Sequence, residues 1–383
     1  MRTRRGACYS CHAGEGPDVH RRKKRRTAAE GSLAVSGAPA GCGGLGDMFE
    51  ELPDDLVVSI LADVAASAGS PADLAGAMLT CKRFRELGQS RVVLARASPR
   101  CLAVPSKAWS DEAHRFLQRC ADAGNLEACY LLGMIRFYCL GRRGSGAALM
   151  AAAAVGGHRE ALYSLAVIQF NGSGGSKDDR DLRAGAALCA RAASLGHVDA
   201  LRELGHCLQD GYGVRRSVLD GRRLLIQANT RELAAAVTAS ASLLRAGNTG
   251  NNGGKASRRH SCLLSDFGCR AAAGETHAAN RFLVDWFASR PLVASSVAVA
   301  GSGAGTASAD EETGGGLRLC SQALCGRPET RRHEFRRCSV CGVVNYCSRA
   351  CQALHWKMAH KAECTPMDRW LDADDAAVAA PAP

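Results

Sequence analysis

Three short stretches echo one another along the 383-residue chain: AGNLEA at residues 123–128, VGGHREA at 155–161 and LGHVDA at 195–200. The glycines at positions 124, 157 and 196 put successive copies 33 and 39 residues apart, and a period of this size is typical of stacked helix pairs. Each glycine follows an alanine-rich helical pattern and lets the chain turn. A single pair could not bury its apolar face, so we predict that three pairs stack into a short α-solenoid within residues 98–240.

Small residues recur after each copy, in the pairs Leu132-Gly133, Leu165-Ala166 and Leu204-Gly205. Small side chains let neighbouring helices approach closely. The second copy also carries a loop insertion at residues 172–181. The repeat resembles the Sel-like repeat, a relative of the tetratricopeptide repeat, and this resemblance implies a concave surface that binds partner proteins. The alternative is an unrelated alanine-rich helical domain.

Residues 47–97, just before the repeats, have helical patterning of their own. The segment opens with LPDDL at residues 52–56, where the proline suits the first turn of a helix and the aspartates suit the positive end of its dipole. Apolar residues continue at helical spacing to Ile60 and Leu61. A second helical stretch includes CKRFREL at residues 81–87. These features predict a small helical domain.

This pattern resembles an F-box, the segment that docks an F-box protein on the Skp-type adaptor of a cullin-based ubiquitin ligase. It departs from the family at Phe84, where tryptophan is commoner, and in a longer joint at residues 65–71. The residues that the resemblance assigns to adaptor binding are Leu52, Pro53, Leu56, Ile60 and Leu61. The alternative is an ordinary helical hairpin that caps the repeats.

Residues 319–366 carry cysteines and a histidine at metal-ligand spacing. The eight residues are Cys320, Cys325, Cys338, Cys341, Cys347, Cys351, His360 and Cys364. They form four close pairs, and we expect the last two pairs to lie each on one helix face. Sulfur and imidazole ligands in fours select zinc, and sites filled by protein ligands are structural. We therefore predict two structural Zn²⁺ ions, since the segment is too small to fold on an apolar core alone.

The ligand order, with Tyr346 before the fifth cysteine, resembles a MYND-type zinc finger. A RING domain would place its histidine in the middle of the order. The resemblance implies interleaved ligands, with one ion held by Cys320, Cys325, Cys347 and Cys351 and the other by Cys338, Cys341, His360 and Cys364. The first pair departs from the family pattern, because four residues separate Cys320 from Cys325 instead of two.

Other residues of the finger have chemical alternatives. His333 and His355 are rival ligands to His360 on chemistry alone. The resemblance implies that Gln352 and Trp356 line a groove for proline-containing peptides, whereas Trp356 could instead only pack the small core.

The net charge of +12 is concentrated in the first 26 residues and in residues 327–337. Basic clusters of this kind meet nucleic acid, acidic protein or an import receptor. The run at residues 21–26 suits a nuclear import signal or a solvated tail, so we expect the nucleus, with the cytoplasm as the alternative. No recognition helix with outward-facing Arg or Asn is visible, so direct nucleic-acid binding is not expected.

The remaining segments join or flank these domains. Residues 1–46 lack hydrophobic periodicity and are predicted to be a disordered basic tail. A Cys-x-x-Cys-His string at residues 8–12 suits half a zinc site or exposed thiols better than haem attachment, which needs an export route. Residues 241–318 are predicted to be a linker with a docking helix at residues 280–287. Residues 367–383 form a C-terminal tail.

Composition excludes several classes of protein. No run of about 18 apolar residues predicts a membrane span, and no apolar segment follows the basic N-terminus as in a secretory signal. The 19 cysteines suit buried thiols and metal ligands in a reducing compartment.

The order of F-box, Sel-like repeats and MYND finger resembles a family of plant F-box proteins. The resemblance implies a mostly α protein that catalyses nothing itself and holds an unknown target for an SCF-type ubiquitin ligase. The alternative is a zinc-finger scaffold or nuclear regulator without a ligase. A lysine methyltransferase, suggested by a faint SET-like string at residues 259–262, lacks the packed β-fold it would need.

Overall fold

The computed structural model describes residues 51–246, 276–290, 292 and 316–366. The predicted disordered tail, with its Cys-x-x-Cys-His string and basic run, lies outside these residues, as do the SET-like string and the C-terminal tail. Within them the protein is helical apart from one short β-ladder, so the predicted mostly α fold is confirmed. In the described part of the chain, no helix combines the length and apolar character needed to span a bilayer.

Five helices begin the described chain: α1 (Asp54–Ser67), α2 (Pro71–Met78), α3 (Lys82–Leu87), α4 (Arg91–Ala95) and α5 (Pro99–Leu102). Ser70 and Asp73 form a capping box that begins α2. Arg83 on α3 reaches back to Asp54, with Nη2 at 2.6 Å from the carboxylate Oδ1. Because α1 also packs on α4, the five helices close into one cluster.

Seven helices form the repeats: α6 (Asp111–Asp122), α7 (Leu126–Met134), α8 (Arg143–Val155), α9 (Arg159–Asn171), α10 (Leu182–Ser194), α11 (Val198–Asp210) and α12 (Val218–Ala246). Three pairs, α6–α7, α8–α9 and α10–α11, correspond to the three sequence copies. The second helix of each pair packs on the helix that follows it, so α12 covers the end of the stack.

The echoed motif forms the turn inside each helix pair. Gly124, Gly157 and Gly196 adopt positive φ angles of 96°, 84° and 87°, a region that strains residues with a Cβ atom. The residue after each glycine then caps the second helix through its side chain, which accepts a backbone N–H. The acceptor and donor pairs are Asn125 with Ala128 (3.0 Å), His158 with Ala161 (3.2 Å) and His197 with Ala200 (3.1 Å).

The capping side chains also link successive repeats. His158 Nε2 lies 3.1 Å from a carboxylate oxygen of Glu127 in the repeat before it, and His197 Nε2 lies 2.9 Å from Glu160 in the same way. Asn125 instead donates to carbonyl oxygens at the end of α4, the nearest being that of Ala97 at 2.9 Å. The motif therefore sets both the turn within a repeat and the register between neighbours.

Glycine allows the close crossing of α7 and α8. A Cβ atom added at Gly146 would lie 2.8 Å from the carbonyl oxygen of Gly133 and 2.6 Å from the backbone nitrogen of Phe137. Real Cβ atoms do not approach backbone so closely, so the helices could not pack at this distance with any larger residue. A Cβ atom at Gly133 would in turn lie 3.0 Å from the carbonyl oxygen of Gly146, so the predicted role of this small residue is visible in the packing.

We expect Gly146→Ala to lower the free energy of unfolding by about 1–3 kcal/mol, because an overpacked crossing must move apart. Gly144→Ala on the same helix is the control, since nothing lies within 4 Å of a Cβ atom there and alanine favours helix over glycine. Urea denaturation of both variants checks this. Equal effects of the two substitutions would contradict the packing account.

The rest of the described chain adds one helix and the finger, residues 320–364. The elements are α13 (Ala278–Ser289), β1 (Arg336–Arg337), β2 (Asn345–Tyr346), α14 (Arg349–His355), a π-helical turn (Trp356–His360) and α15 (Lys361–Glu363). The two strands pair antiparallel, with Arg336 opposite Tyr346. Helix α13 lies in the predicted linker and buries Phe282, Leu283 and Phe287.

The finger packs directly on the repeats. Tyr163 on α9 donates its hydroxyl to Ser348 Oγ at 3.2 Å, and Asn171 Nδ2 donates to the carbonyl of Cys347 at 2.8 Å. On α11, the buried Glu203 carboxylate accepts the N–H of Ala350 at 2.9 Å. The second helices of the repeats therefore provide the platform on which the finger is built.

The insertion at residues 172–181 is part of this contact. Arg331 of the finger donates to the carbonyl of Gly172 at 2.6 Å, and the N–H of Gly174 donates to Thr330 Oγ1 at 2.8 Å. A loop that looks like a tolerated insertion in sequence thus holds the finger in place.

Candidate metal centres and docking surfaces

Two groups of cysteine and histidine side chains come together in the finger. The first group is Cys320, Cys325, Cys347 and Cys351, and the second is Cys338, Cys341, His360 and Cys364. Within each group the four ligand atoms lie within 4.8 Å of one another. These are the two interleaved sets that the resemblance to MYND fingers implies.

Sulfur spacing in the first group fits tetrahedral coordination. Cys347 Sγ lies 3.6 Å from Cys325 Sγ and 3.6 Å from Cys351 Sγ. A tetrahedral site with metal–sulfur bonds of about 2.3 Å has edges of about 3.8 Å, whereas a disulfide needs sulfur atoms about 2.05 Å apart. The thiols are free, so the group suits metal binding and not disulfide formation.

The second group has the same geometry with one nitrogen donor. Cys338 Sγ lies 3.9 Å from Cys364 Sγ, and Cys341 Sγ lies 3.6 Å from His360 Nε2. His360 is buried and Cys364 closes the group from the chain that follows α15. Four soft or borderline donors fill each group, so both suit a structural zinc ion with no position left for a substrate.

The ligand pairs straddle helix ends. Ser348 caps α14 and its Oγ accepts the N–H of Cys351 at 3.1 Å, so Cys347 lies just before the helix. In the other pair, His360 ends the π-helical turn and the helical backbone continues through α15 to its C-cap Cys364, so these two residues keep their i, i+4 relation. The prediction of a shared helix face is wrong only for Cys347 and Cys351, because the extended backbone at Ser348 places Cys347 outside the helix.

A tight turn accommodates the long first spacing. The N–H of Cys325 donates to the carbonyl of Gln322 at 2.9 Å, and the N–H of Cys320 donates to the carbonyl of Arg327 at 2.9 Å. Gly326 adopts a positive φ of 69°. This short hairpin lets four intervening residues bring Cys320 into the first group.

The rival histidines lie outside both groups. His355 stacks on the His360 ring, with centroids 5.5 Å apart, and its Nδ1 is 3.0 Å from the hydroxyl of Tyr346. His333 is exposed and has a positive φ of 60°. The His355 ring therefore packs against the ring of the candidate ligand His360 and helps to hold it in place.

Arg327 connects the first group to the core of the repeats. Its guanidinium is buried, with Nη1 at 3.6 Å from Cys325 Sγ and Nη2 donating to Ser164 Oγ at 2.8 Å. Ser164 Oγ in turn lies 3.0 Å from the hydroxyl of Tyr130. Burial lowers the pKa of a guanidinium, but the nearby thiolates of Cys325 and Cys347 raise the pKa of Arg327 well above its usual value. Sequence reasoning counted this arginine only in a surface-charge cluster.

Helix α1 presents part of the predicted adaptor-binding set to solvent. The apolar side chains of Leu56 and Ile60 are 49% and 41% exposed, and Pro53 at the start of the helix is also exposed. Leu52 is half-buried, while Leu61 is 1% exposed and packs in the core. Leu56 and Ile60 therefore place two half-exposed apolar side chains on the surface of α1, while Leu61 packs in the core beneath them.

Comparison with known proteins identifies the family. A model described as plant tetratrico peptide repeats matches residues 101–185, and a MYND finger model matches residues 320–364. F-box protein At1g67340 of Arabidopsis thaliana is 56% identical over 366 residues, covering 92% of this chain and 89% of the relative. The chain belongs to this family of plant F-box proteins. The predicted combination of F-box, Sel-like repeats and MYND finger is confirmed.

A second relative belongs to the same family, and one solved structure is a weaker match. F-box protein At5g50450, also of Arabidopsis thaliana, is 54% identical over 325 residues, covering 85% of this chain and 87% of the relative. A Sel1 repeat protein from Oxalobacter formigenes is 16% identical, with a TM-score of 0.36 over 61% of this chain and 85% of that one. Because this TM-score is low, the assignment of the chain to a family rests on the F-box relatives alone.

The predicted peptide-groove residues of the MYND finger line a cavity. Gln352 and Trp356 lie with His206 and Asp210 of α11 around a volume of about 540 Å³. Trp356 is 38% exposed and its ring also meets that of His360, with centroids 5.8 Å apart. The tryptophan therefore both packs the finger and remains accessible, and the repeats supply one wall of the groove.

A third cluster in the F-box protein resembles a metal site without being one. His158 and His277 both place Nε2 near the Glu127 carboxylate, at 3.1 Å and 3.0 Å. Each Nδ1 accepts a backbone N–H, from Ala161 and Ala279, so each neutral ring carries its proton on Nε2 and has no lone pair there for a metal. Burial raises the pKa of Glu127, but these two hydrogen bonds outweigh it and lower the pKa to about 2. The cluster is a hydrogen-bonded junction between the repeats and α13.

Two of the five arginines in the basic cluster of the finger make contacts inside the molecule. Arg327 binds Cys325 and Ser164, and Arg331 binds carbonyls of the insertion loop. Just beyond the cluster, Arg349 pairs with Asp210 on α11. Part of the positive charge therefore holds the finger on the repeats, while three arginines of the cluster remain exposed: Arg332, Arg336 and Arg337.

Proposed function

We propose that this F-box protein is the substrate-recognition subunit of an SCF-type cullin ubiquitin ligase. The observation that carries the proposal is the exposed apolar face of α1, at the place where F-box proteins dock on a Skp-type adaptor. Leu56 and Ile60 lie about one turn apart and point the same way, so one partner surface can bury both. Because each side chain is about half exposed, burying the rest contributes about half of the roughly 1.5–3 kcal/mol of full burial.

In this role the chain is not an enzyme. It brings a target protein close to the ubiquitin-carrying subunits of the ligase, so its contribution is proximity. The target itself is unknown, and the repeats and the groove at Gln352 and Trp356 are the surfaces offered to it. The basic N-terminal run motivates a nuclear location, and neither a membrane nor direct nucleic-acid binding is part of the proposal.

We propose further that the finger holds two structural Zn²⁺ ions. The support is the donor set, with four thiolates in one group and three thiolates with an imidazole in the other. Zinc would supply folding free energy to the finger and take no part in a reaction. The residues of this chain orient the ligands, with His355 stacked against His360 and Arg327 placed beside Cys325.

We expect His360→Ala to reduce the zinc content from two ions per chain to one, because the second group loses a ligand. His355→Ala is the matched control and should keep both ions, since this ring lies outside the groups. Native mass spectrometry of the full chain measures the content. Loss of an ion from His355→Ala but not from His360→Ala would reverse the ligand assignment.

We expect Leu56→Ala/Ile60→Ala to weaken a complex of the full chain with a Skp-type adaptor at least tenfold, since most of the apolar contact is removed. Val155→Ala/Leu219→Ala is the control, because these apolar side chains are 81% and 70% exposed elsewhere. Co-expression followed by titration calorimetry measures both. If folded wild-type chain forms no complex, the alternative of a zinc-finger scaffold without a ligase takes its place.

A further inference from the structure

A second cavity lies between the repeats and the finger. Its volume is about 370 Å³, and its walls come from the start of α9, from α12 and α13, and from the first hairpin of the finger. This is within the range of small-ligand pockets, roughly 300–1,000 Å³. It shares no lining residue with the groove at Gln352 and Trp356. The two lie on different faces of α14, since Leu354 faces this cavity.

Four of the residues that line this cavity carry a buried polar atom without a hydrogen-bond partner. The described residues contain seven such side-chain atoms, and four belong to residues that line the cavity. They are Glu232 Oε2, Asn280 Oδ1, Gln322 Nε2 and Arg327 Nε. Gln322, Arg327 and Glu232 are only 5%, 4% and 8% exposed. Glu232 Oε2 forms an ion pair with Lys357 Nζ at 3.7 Å but accepts no hydrogen bond.

An unpaired buried polar atom costs about 1–3 kcal/mol, and natural proteins pair nearly all of them. Four together in one cavity therefore point to a ligand that completes their bonds. Gln322 and Arg327 require acceptors, whereas Asn280 and Glu232 require donors. If the side-chain amide of Gln322 or Asn280 is rotated by 180°, its oxygen and nitrogen exchange places. This changes only which side of the cavity needs the donor.

The chemistry required is that of the peptide group, which presents a carbonyl acceptor and an N–H donor side by side. A strongly charged ligand fits less well, because the lining has three arginines and three carboxylates. They are Arg159, Arg231 and Arg327 with Glu160, Asp199 and Glu232. At the rim, the apolar side chain of Leu324 is 41% exposed and can meet an apolar side chain of the ligand.

We infer that this cavity binds an uncharged, extended peptide segment of a target protein through its main-chain amides. The inference rests on the proposed adaptor function only for the source of the peptide, which would be a ubiquitination target. The site forms only when the finger is docked on the repeats. The finger supplies Gln322 and Arg327, and the rest of the chain supplies Asn280 and Glu232.

The test uses a phage-displayed library of random linear dodecapeptides selected on the full chain. Peptides that use the cavity should bind Gln322→Met at least tenfold more weakly and should bind Gln352→Met, the matched control in the other groove, unchanged. Asn280→Leu is a second variant that removes an unpaired atom from another element. Both cavity variants should keep or raise the thermal midpoint, because each removes an unpaired polar atom.

Three results would overturn the inference. The first is that the library yields no binder. The second is that binding is lost with Gln352→Met and not with Gln322→Met. The third is that both cavity variants lower the thermal midpoint, which is the effect expected if these side chains have a structural role. Adaptor binding by the same variants separates this result from the proposed function. A chain that binds the Skp-type adaptor but no cavity peptide keeps the function and loses the site, and the reverse outcome keeps the site in a scaffold.

Discussion

The buried guanidinium of Arg327 is the constraint on which the joined structure depends. A buried cation is tolerated only where it is paired and hydrogen-bonded. Arg327 finds its charge partner in Cys325 of the first thiolate group and its neutral partner in Ser164 of α9. In the proposed zinc-bound finger, four thiolates around a divalent ion leave a net negative charge, so the arginine and the metal centre would stabilise each other while fixing the finger to the repeats.

This junction changes how the domain order of the chain is understood. F-box, repeats and finger are distinct sequence patterns, yet α9 and α11 make the surface on which the finger sits. The capping histidines stack the repeats in register, and the insertion loop and Arg331 secure the far side of the finger. A finger that shares its core with the repeats can present two cavities of fixed shape. In the proposed adaptor role, a target would meet this preorganised surface while α1 remained free for the ligase, which reduces the ordering cost of binding.

The features that can be predicted from this sequence are those set by the spacing of residues close together in the chain. The turn glycines and small crossing residues follow from helical periodicity, and the eight candidate metal ligands follow from short pair spacings. The interleaving of the ligands came from family resemblance, because spacing alone does not say which pairs meet. Burial of Arg327 and docking of the insertion loop depend on contacts more than 150 residues apart in the chain, such as Arg327 with Ser164 and Arg331 with Gly172. A wrong expectation, that Cys347 lies on the helix with Cys351, arose because a serine cap was not recognised.

Hydrogen exchange of the Arg327→Met variant tests most directly whether repeats and finger form one body. Methionine keeps much of the side-chain length and removes the charge and its donors. With exposed Arg332→Met as control, we expect faster exchange in both α9 and the finger of Arg327→Met, and wild-type protection in α1 and α4. Loss of protection confined to the finger, with α9 unchanged, would contradict the account and leave two domains that merely touch.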